Sequence, residues 1–266
     1  MSLRLFAATC AVKAGRFLQQ LPVFLLRPRQ LVRFSQGSYA RSSAVDSWSD
    51  PELVLGGLFE EERQLLDRLP EKRGDLLLLG IGGGREALVF ARAGYRVTGV
   101  DFVAPMVARA MENACREGLV LEGRVQDISR MQPDGHRYDV VWFSCSTYSA
   151  LPGRKLRVRV LKRIREMLAP GGQVICMFYW NPDLQKRRRL WRLGKVFAWI
   201  ALGNRHCEPG DLLKDYREFL HAFGERRDLE AEFAEAGLEA LEFVILPDSH
   251  NGGAILRVRS PVDGGG

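Results

Sequence analysis

The sequence feature that most constrains the fold is a run of four leucines that leads directly into a cluster of glycines. Leu76–Leu79 are followed by Gly80, and Gly82–Gly84 precede a stretch with the apolar spacing of a helix. A short, wholly apolar run is typical of a strand buried on both faces of a parallel sheet. Glycines permit a sharp turn that a ligand can approach closely, and the next helix directs free N–H groups at it. The order therefore predicts an α/β fold with a nucleotide-type site or, as the simpler alternative, a turn that binds nothing.

An acidic residue stands at the distance from these glycines where a ribose would require one. A second strand is predicted at residues 95–100, and Asp101 follows it directly, 21 residues after Gly80. A carboxylate at about this spacing, on the tip of the second strand, is placed to accept hydrogen bonds from ribose hydroxyls. The alternative is an ordinary surface aspartate in a turn.

Five short motifs resemble those of the class I S-adenosylmethionine-dependent methyltransferases and occur in the family's order and spacing. They are Leu-Gly-Ile-Gly-Gly-Gly (79–84), Gly-Val-Asp-Phe (99–102), Val-Gln-Asp-Ile (125–128), Tyr-Asp-Val-Val-Trp (138–142) and Leu-Ala-Pro-Gly-Gly-Gln-Val (168–174). The resemblance is close over residues 57–180 and looser over 225–259. It implies a Rossmann-like, seven-stranded, mostly parallel sheet with helices on both faces and a C-terminal antiparallel hairpin.

The resemblance also implies which residues would hold S-adenosylmethionine. These are Gly80, Ile81, Gly82 and Gly84 in the loop, Asp101 at the ribose, Phe102 and Met106 beside the adenine, Asp127 and Ile128 at the adenine edge, and Ser144 after the fourth strand. For Phe102 and Met106, plain helix packing is an equal alternative. The family often has an acid two positions before the first glycine, where this chain has Leu78. Backbone carbonyls or another side chain would then hold the methionine end of the cofactor.

Two side chains are candidates for contact with the methyl acceptor. Residues 144–149 follow the fourth predicted strand, and ligands of open α/β sheets bind outside the carboxyl ends of strands. Tyr148 is therefore the candidate hydroxyl that steers the acceptor, and His221 is the candidate base or acceptor ligand. Packing is an equal alternative for Tyr148 and the simpler one for His221. We do not expect Cys145 to act as a nucleophile, because no partner base is evident. No cluster of metal ligands is apparent, so a metal-independent reaction is expected.

Composition narrows the class of protein. The 266 residues are 46% apolar and 27% charged, which is ordinary for a globular chain. Five scattered cysteines without a Cys-x-x-Cys pair argue against a disulfide framework and favour a reducing compartment. Residues 1–45 hold seven basic residues and no acid, so the net charge of +7 belongs to this segment. Because the remaining residues are neutral overall, the charge pattern argues against a nucleic-acid-binding core.

The N-terminal segment allows three interpretations. It is too short in its apolar stretches to span a membrane and has no typical secretory cleavage site. It could pack on the body or cover the active site, lie on an anionic membrane surface, or serve as an arginine-rich transit peptide.

A second segment outside the resemblance, residues 181–224, contains a basic cluster at 186–189 and an aromatic-rich apolar stretch over 190–202. One hypothesis makes this insertion a lid, an acceptor pocket or a membrane contact, and the simpler alternative is a helix that only buries the apolar arm. We expect the arm and the insertion to pack together over the site.

The sequence thus divides into an arm and linker (1–56), a cofactor-binding core (57–180), a lid insertion (181–224) and a completion of the core with a disordered tail (225–266). The expected function is direct methyl transfer from S-adenosylmethionine to a small, hydrophobic acceptor. The expected location is cytoplasmic, with membrane association through the arm or residues 186–202, or organellar targeting by the arm, left open. The alternatives are a nicotinamide-dependent oxidoreductase and a cofactor-binding protein without turnover.

Overall fold

The computed structural model describes residues 3–69, 73–185 and 188–260. Within these ranges the strands are β1 (Gly74–Leu79), β2 (Tyr95–Asp101), β3 (Glu122–Val125), β4 (Tyr138–Phe143), β5 (Leu168–Tyr179), β6 (Asp211–Lys214), β7 (Glu218–His221), β8 (Leu238–Ile245) and β9 (Asn251–Val258). The helices are α1 (Leu3–Leu25), α2 (Pro28–Tyr39), α3 (Ser42–Trp48), α4 (Pro51–Leu55), α5 (Glu60–Asp67), α6 (Arg85–Arg92), α7 (Ala104–Arg116), α8 (Arg154–Glu166), α9 (Pro182–Gln185), α10 (Arg188–Ile200) and α11 (Arg226–Glu235).

Seven of the strands in these ranges form one sheet in the order β3-β2-β1-β4-β5-β9-β8. The first five pair in parallel, and β9 runs antiparallel between β5 and β8. The predicted fold class, with its C-terminal antiparallel hairpin, is confirmed. The order reverses between β1 and β4, which places a crevice for ligands at the carboxyl ends of these two strands.

The leucine run forms β1 because both faces of this strand are covered. Leu76 and Leu78 pack in the cluster that contains α5, α6 and α7, whereas Leu77 and Leu79 pack in the cluster that contains α8 and α11. Alternate side chains of a strand point to opposite faces of the sheet, so a continuous apolar run suits a strand between two helix layers.

The arm and the insertion pack on each other, and β6 and β7 form a separate two-stranded sheet. A small buried cluster joins Val23 and Leu31 of the arm to Leu213 and Phe219 of this hairpin. Gln20 adds a pair of hydrogen bonds to the backbone of Leu213, at 3.1 and 2.8 Å.

Several local expectations need correction. The apolar spacing over 53–69 predicts one helix, but the chain forms α4 and α5 with an irregular stretch between them. The same spacing predicts that Glu60–Glu62 are exposed, but Glu61 and Glu62 are buried, and Glu62 pairs with Arg85 of α6. The tail, residues 261–266, and Lys186 and Arg187 of the basic cluster lie outside the described residues.

Candidate active site

A cavity opens where β1, β2 and β4 end, beneath the N-terminal helices. One wall, which we call the floor, consists of Gly80–Gly83, Arg85, Glu86, Asp101, Phe102, Met106, Asp127–Ser129, Ser144–Thr147, Ala150 and Leu151. The opposite wall, the roof, consists of Val32, Ser35, Tyr39, Trp48, Leu53, Lys214 and Glu218–Leu220. Nine of the ten predicted cofactor residues lie in the floor, and the exception is Gly84.

The glycine loop leaves room for a ligand at one position and is tightly packed at the others. Gly80, Gly82 and Gly84 all have positive φ, which residues with a side chain rarely adopt. A Cβ at Gly82 would meet nothing within 4 Å, whereas at Gly80 it would lie 2.5 Å from Thr147 Oγ1. Gly84 begins α6 and packs against Ala110 of α7. Its part in the site is therefore to bring α6 close to α7, away from the cavity.

Asp101 is a buried carboxylate at the end of β2 that faces the cavity. Its oxygens accept hydrogen bonds from the backbone N–H groups of Gly82, at 3.1 Å, and Val103, at 3.0 Å. Burial raises the pKa of Asp101 to about 6, although these N–H groups act in the opposite direction. Near neutral pH the carboxylate is ionised, and its remaining lone pairs can accept hydroxyl protons from a ligand.

The residues predicted beside the adenine line one end of the floor. Asp127 accepts a hydrogen bond from Ser129 N at 2.8 Å, and Ile128 begins a single 3₁₀ turn. Met106 is buried, and Phe102 packs against the same small cluster. A flat apolar ligand could lie between these side chains with the Asp127 carboxylate at its edge, although packing with Val45 and Tyr39 also accounts for Phe102 and Met106.

A buried charge cluster that the sequence did not predict borders the floor. Arg85 donates to both oxygens of Glu62, at 2.6 and 2.8 Å, and to Glu86 at 2.8 Å. Ser144 donates to the same Glu86 oxygen. Burial and the neighbouring Glu86 raise the pKa of Glu62 to about 7. The signal for this cluster in the sequence is weak, since an acid in the first turn of a helix is ordinarily a solvent-exposed partner of the helix dipole.

The roof contributes a carboxylate of its own. Tyr39, at the end of α2, donates its hydroxyl to Glu218 of β7, and Lys214 lines the cavity nearby. Burial is the main cause of the raised pKa of both Tyr39 and Glu218. The Tyr39 ring lies 6.4 Å from the rings of Trp48 and Phe102, measured between centroids. These aromatic rings join the roof to the floor.

Cys145 lies in the floor with a positive φ. Burial raises the pKa of its thiol to about 12. A thiol that stays protonated is a poor nucleophile, which agrees with the expectation that Cys145 forms no covalent intermediate.

The structure places Tyr148 and His221 outside the cavity lining. Tyr148 is fully buried and donates to Glu232 at 2.5 Å. His221 lies 2.7 Å from Asp211, measured from Nδ1 to Oδ1. Tyr148 follows β4 and His221 is the last residue of β7, and both strands reach the cavity, but the two side chains turn into the body of the protein. Neither is placed to contact an acceptor, and the packing alternative describes their observed positions.

Glu208, Asp211 and His221 lie close enough to share a metal ion. Arg157, however, donates to Glu208 at 2.7 Å and to Glu232 at 2.6 Å. The guanidinium already supplies a positive charge to this acidic group, which gives the cluster a structural explanation that needs no cation.

Comparison with known proteins agrees with this arrangement. The family model described as "Methyltransferase domain" matches residues 76–172. The match covers 97 of the 266 residues and agrees with the resemblance to the class I S-adenosylmethionine-dependent methyltransferases. The matched stretch contains the glycine loop, Asp101, Asp127 and Ser144, and with them every residue of the floor.

Curated relatives match part of the chain. A ubiquinone biosynthesis O-methyltransferase of Cereibacter sphaeroides is 32% identical over 118 residues, which are 44% of this chain and 46% of that protein. The match therefore spans less than half of the relative.

Solved structures share the fold over more of the chain. The DhpI-SAH complex superimposes with a TM-score of 0.59 at 21% identity, covering 87% of this chain and 98% of that one. The CcbJ methyltransferase from Streptomyces caelestis gives 0.55 at 19% identity, covering 70% and 84%. At these sequence identities the similarity shows a shared fold.

Proposed function

We propose that this chain transfers a methyl group from S-adenosylmethionine to a hydroxyl of a small, apolar acceptor. The observation that carries the proposal is Asp101, a buried carboxylate held by the N–H of Gly82 inside a cavity at the switch point of the sheet. A carboxylate at this place can bind the hydroxyls of a ribose, and a glycine without a neighbouring side chain lets the ligand approach the backbone closely.

The floor offers a partner for each part of the cofactor. Asp101 would accept hydrogen bonds from the ribose hydroxyls, and Asp127 would accept one from the exocyclic amine of the adenine. Phe102, Met106 and Ile128 supply the apolar contacts for the purine. The open space over Gly82 lets a ligand lie against the loop, because a Cβ at this position would meet no atom within 4 Å.

Glu86 is the side chain we propose for the methionine end. Leu78, at the position where the family often has an acid, is buried in the core and does not line the cavity. Glu86 does line it, and its carboxylate is oriented by Arg85 and Ser144. A buried carboxylate near the glycine loop would pair with the ammonium group of the amino acid.

The roof would hold the acceptor. Val32, Phe219 and Leu220 give it an apolar character, and Tyr39, Lys214 and Glu218 add polar groups. The name of the Cereibacter sphaeroides relatives supports an oxygen acceptor, and the apolar lining supports a hydrophobic one.

When bound, S-adenosylmethionine supplies an electrophilic methyl group on a sulfonium ion. The protein contributes proximity by holding the acceptor between floor and roof, which removes much of the entropic barrier. We propose Glu218 as the group that accepts the proton of the acceptor hydroxyl, with Tyr39 orienting the carboxylate. Burial raises the pKa of Glu218, which makes its carboxylate a stronger base than that of an exposed glutamate.

The proposal is tested by measuring S-adenosylhomocysteine formation with matched acceptors: an alkylated phenol, the same phenol without its alkyl chain, the methyl ether, and the corresponding aniline and thiophenol. We expect turnover with the alkylated phenol, weaker turnover with the short phenol, and none with the ether. Mass spectrometry should show the methyl group on oxygen.

Asp101→Ala should abolish this turnover, while Asp248→Ala, at an exposed aspartate, should not. Cofactor binding without turnover on any acceptor would favour a non-catalytic binding protein. Hydride transfer from a nicotinamide would favour the oxidoreductase alternative.

A further inference from the structure

Two segments without a single acidic residue pack against each other on the surface. Residues 1–45 and 184–207 together contain 14 Lys and Arg and no Asp or Glu, so that the rest of the chain has 25 basic and 32 acidic residues. The rings of Phe24 and Trp191 lie 4.8 Å apart, and Phe24 shares a buried cluster with Ala198 and Cys207. Asn204 fixes the junction by donating from its backbone N–H to Phe24 O at 2.7 Å. We call α1, α10 and the turn through Arg205 the basic face.

The outer side of this face is apolar. Val196, Trp199 and Ile200 occupy one side of α10 at a spacing of three and four residues, and Leu202 follows. Trp199 and Ile200 are 66% and 70% exposed. On α1, Leu18 and Leu25 are also exposed, and their spacing of seven residues places them on one side of the helix. A group of exposed apolar side chains of this kind is typical of a surface that binds a protein or a membrane.

Cationic groups accompany these apolar side chains. Lys195 is exposed on α10, and the Arg205 guanidinium lies 5.8 Å from the centroid of the Trp199 ring. Arg4 and Arg27 are exposed on the side of the arm. Among the described residues, no helix combines the length and the apolar character that crossing a bilayer requires. A surface of this kind suits contact with a membrane from one side.

We propose that the basic face docks on the surface of an anionic lipid bilayer. Tryptophan and aliphatic side chains would enter the boundary between headgroups and acyl chains, while lysine and arginine would pair with the lipid phosphates. A second copy of the chain fits less well, because it would bring two acid-free, cationic surfaces together. Nucleic acid fits less well because the exposed side chains that the structure describes on α10 are mainly apolar. The inference does not depend on the proposed methyl transfer.

The test is co-sedimentation of the full chain with phosphatidylcholine vesicles that contain or lack about 30% phosphatidylglycerol, at about 0.1 M and about 0.5 M salt. We expect binding to the anionic vesicles, weaker binding at high salt, and little binding to the neutral ones. Equal binding to both vesicle types, or binding to neither, would overturn the proposal.

The apolar contribution is tested with the double variant Trp199→Ser/Ile200→Ser. Its matched control is Val120→Ser/Leu241→Ser, which removes two exposed apolar side chains from other parts of the surface. We expect the first pair to weaken partitioning about tenfold or more, and the control to leave it unchanged. Lys195→Glu/Arg205→Glu should reduce binding to anionic vesicles and weaken its salt dependence.

Two further measurements distinguish the other occupants. If duplex DNA binds as tightly as the anionic vesicles and Lys195→Glu/Arg205→Glu removes that binding, the face is a nucleic-acid site. If the lipid-free protein is a dimer by light scattering and the same variant is a monomer, the face is covered by a second copy. Thermal unfolding midpoints within the error of wild type establish that each variant is folded.

Discussion

The floor and the roof of the cavity face the same space but are held together in different ways. The floor is formed by turns that follow directly on sheet strands, so that the ladders β1–β2 and β1–β4 fix its geometry. The roof joins segments about 180 residues apart in sequence, through Tyr39 to Glu218, Gln20 to Leu213, and Ser35 to Phe219. A part built on a sheet is rigid, whereas a part joined by a few contacts between surface segments can open separately. This difference suits a fixed cofactor wall and a roof that admits an acceptor.

The largest expected effect concerns the buried charges of the floor. Arg85→Met should lower the free energy of unfolding by about 3–5 kcal/mol, because it leaves Glu62 and Glu86 buried without their counter-ion. Urea denaturation measures the loss. Arg109→Met, at an exposed ion pair with Glu112, should change stability by about 1 kcal/mol or less. Equal effects of the two variants would show that the cluster does not hold the floor.

A substitution in the roof should destabilise the roof without destabilising the sheet. Leu31→Ala removes a fully buried side chain from the cluster that joins the arm to β6 and β7, and such truncations cost about 2–5 kcal/mol. Hydrogen exchange should accelerate in residues 211–221 while the amides of β1 keep their protection. Uniform acceleration across the sheet would contradict the separation of roof and floor.

Chemistry and binding should separate in the same way. Glu218→Gln should lower turnover about a hundredfold or more, the range expected for loss of a general base, and leave the dissociation constant of S-adenosylhomocysteine unchanged. Glu242→Gln, at an exposed carboxylate paired with Arg68, is the control. A matching loss of cofactor affinity would assign Glu218 to binding instead of proton transfer.

The smallest expected effect is a pH dependence of the floor. The pKa of Asp101 is about 6. The carboxylate is therefore ionised at about pH 7.5, where it can accept hydrogen bonds from the ribose hydroxyls, and it is mostly protonated at about pH 5. Affinity for S-adenosylhomocysteine should fall about tenfold between these values. Asp101→Asn should remove this dependence while keeping any contribution from Glu62. An unchanged slope in that variant would assign the titration to another group.

The sequence predicts the position of a residue best where local chemistry fixes it. An apolar run, a glycine turn and an acid at the tip of the next strand place Gly80, Gly82 and Asp101 at one edge of any parallel sheet. The Arg85 cluster and the Tyr39–Glu218 pair depend on which surface segments pack together, and no local pattern encodes this. Tyr148 and His221 show the remaining difficulty. Their place along the chain was suggestive, but side-chain direction decides between site and core, and Glu232 and Asp211 draw both away from the cavity.

The central claim is that the floor binds S-adenosylmethionine through Asp101. Calorimetric titration with S-adenosylmethionine, S-adenosylhomocysteine and NADPH, on wild type, Asp101→Ala and Asp248→Ala, tests it most directly. The account predicts that wild type and Asp248→Ala bind the two sulfur compounds and not NADPH, and that Asp101→Ala, folded by circular dichroism, binds them at least about a hundredfold more weakly, the loss expected when a buried bidentate acceptor is removed. Unchanged affinity in Asp101→Ala, or a preference for NADPH in wild type, would contradict it.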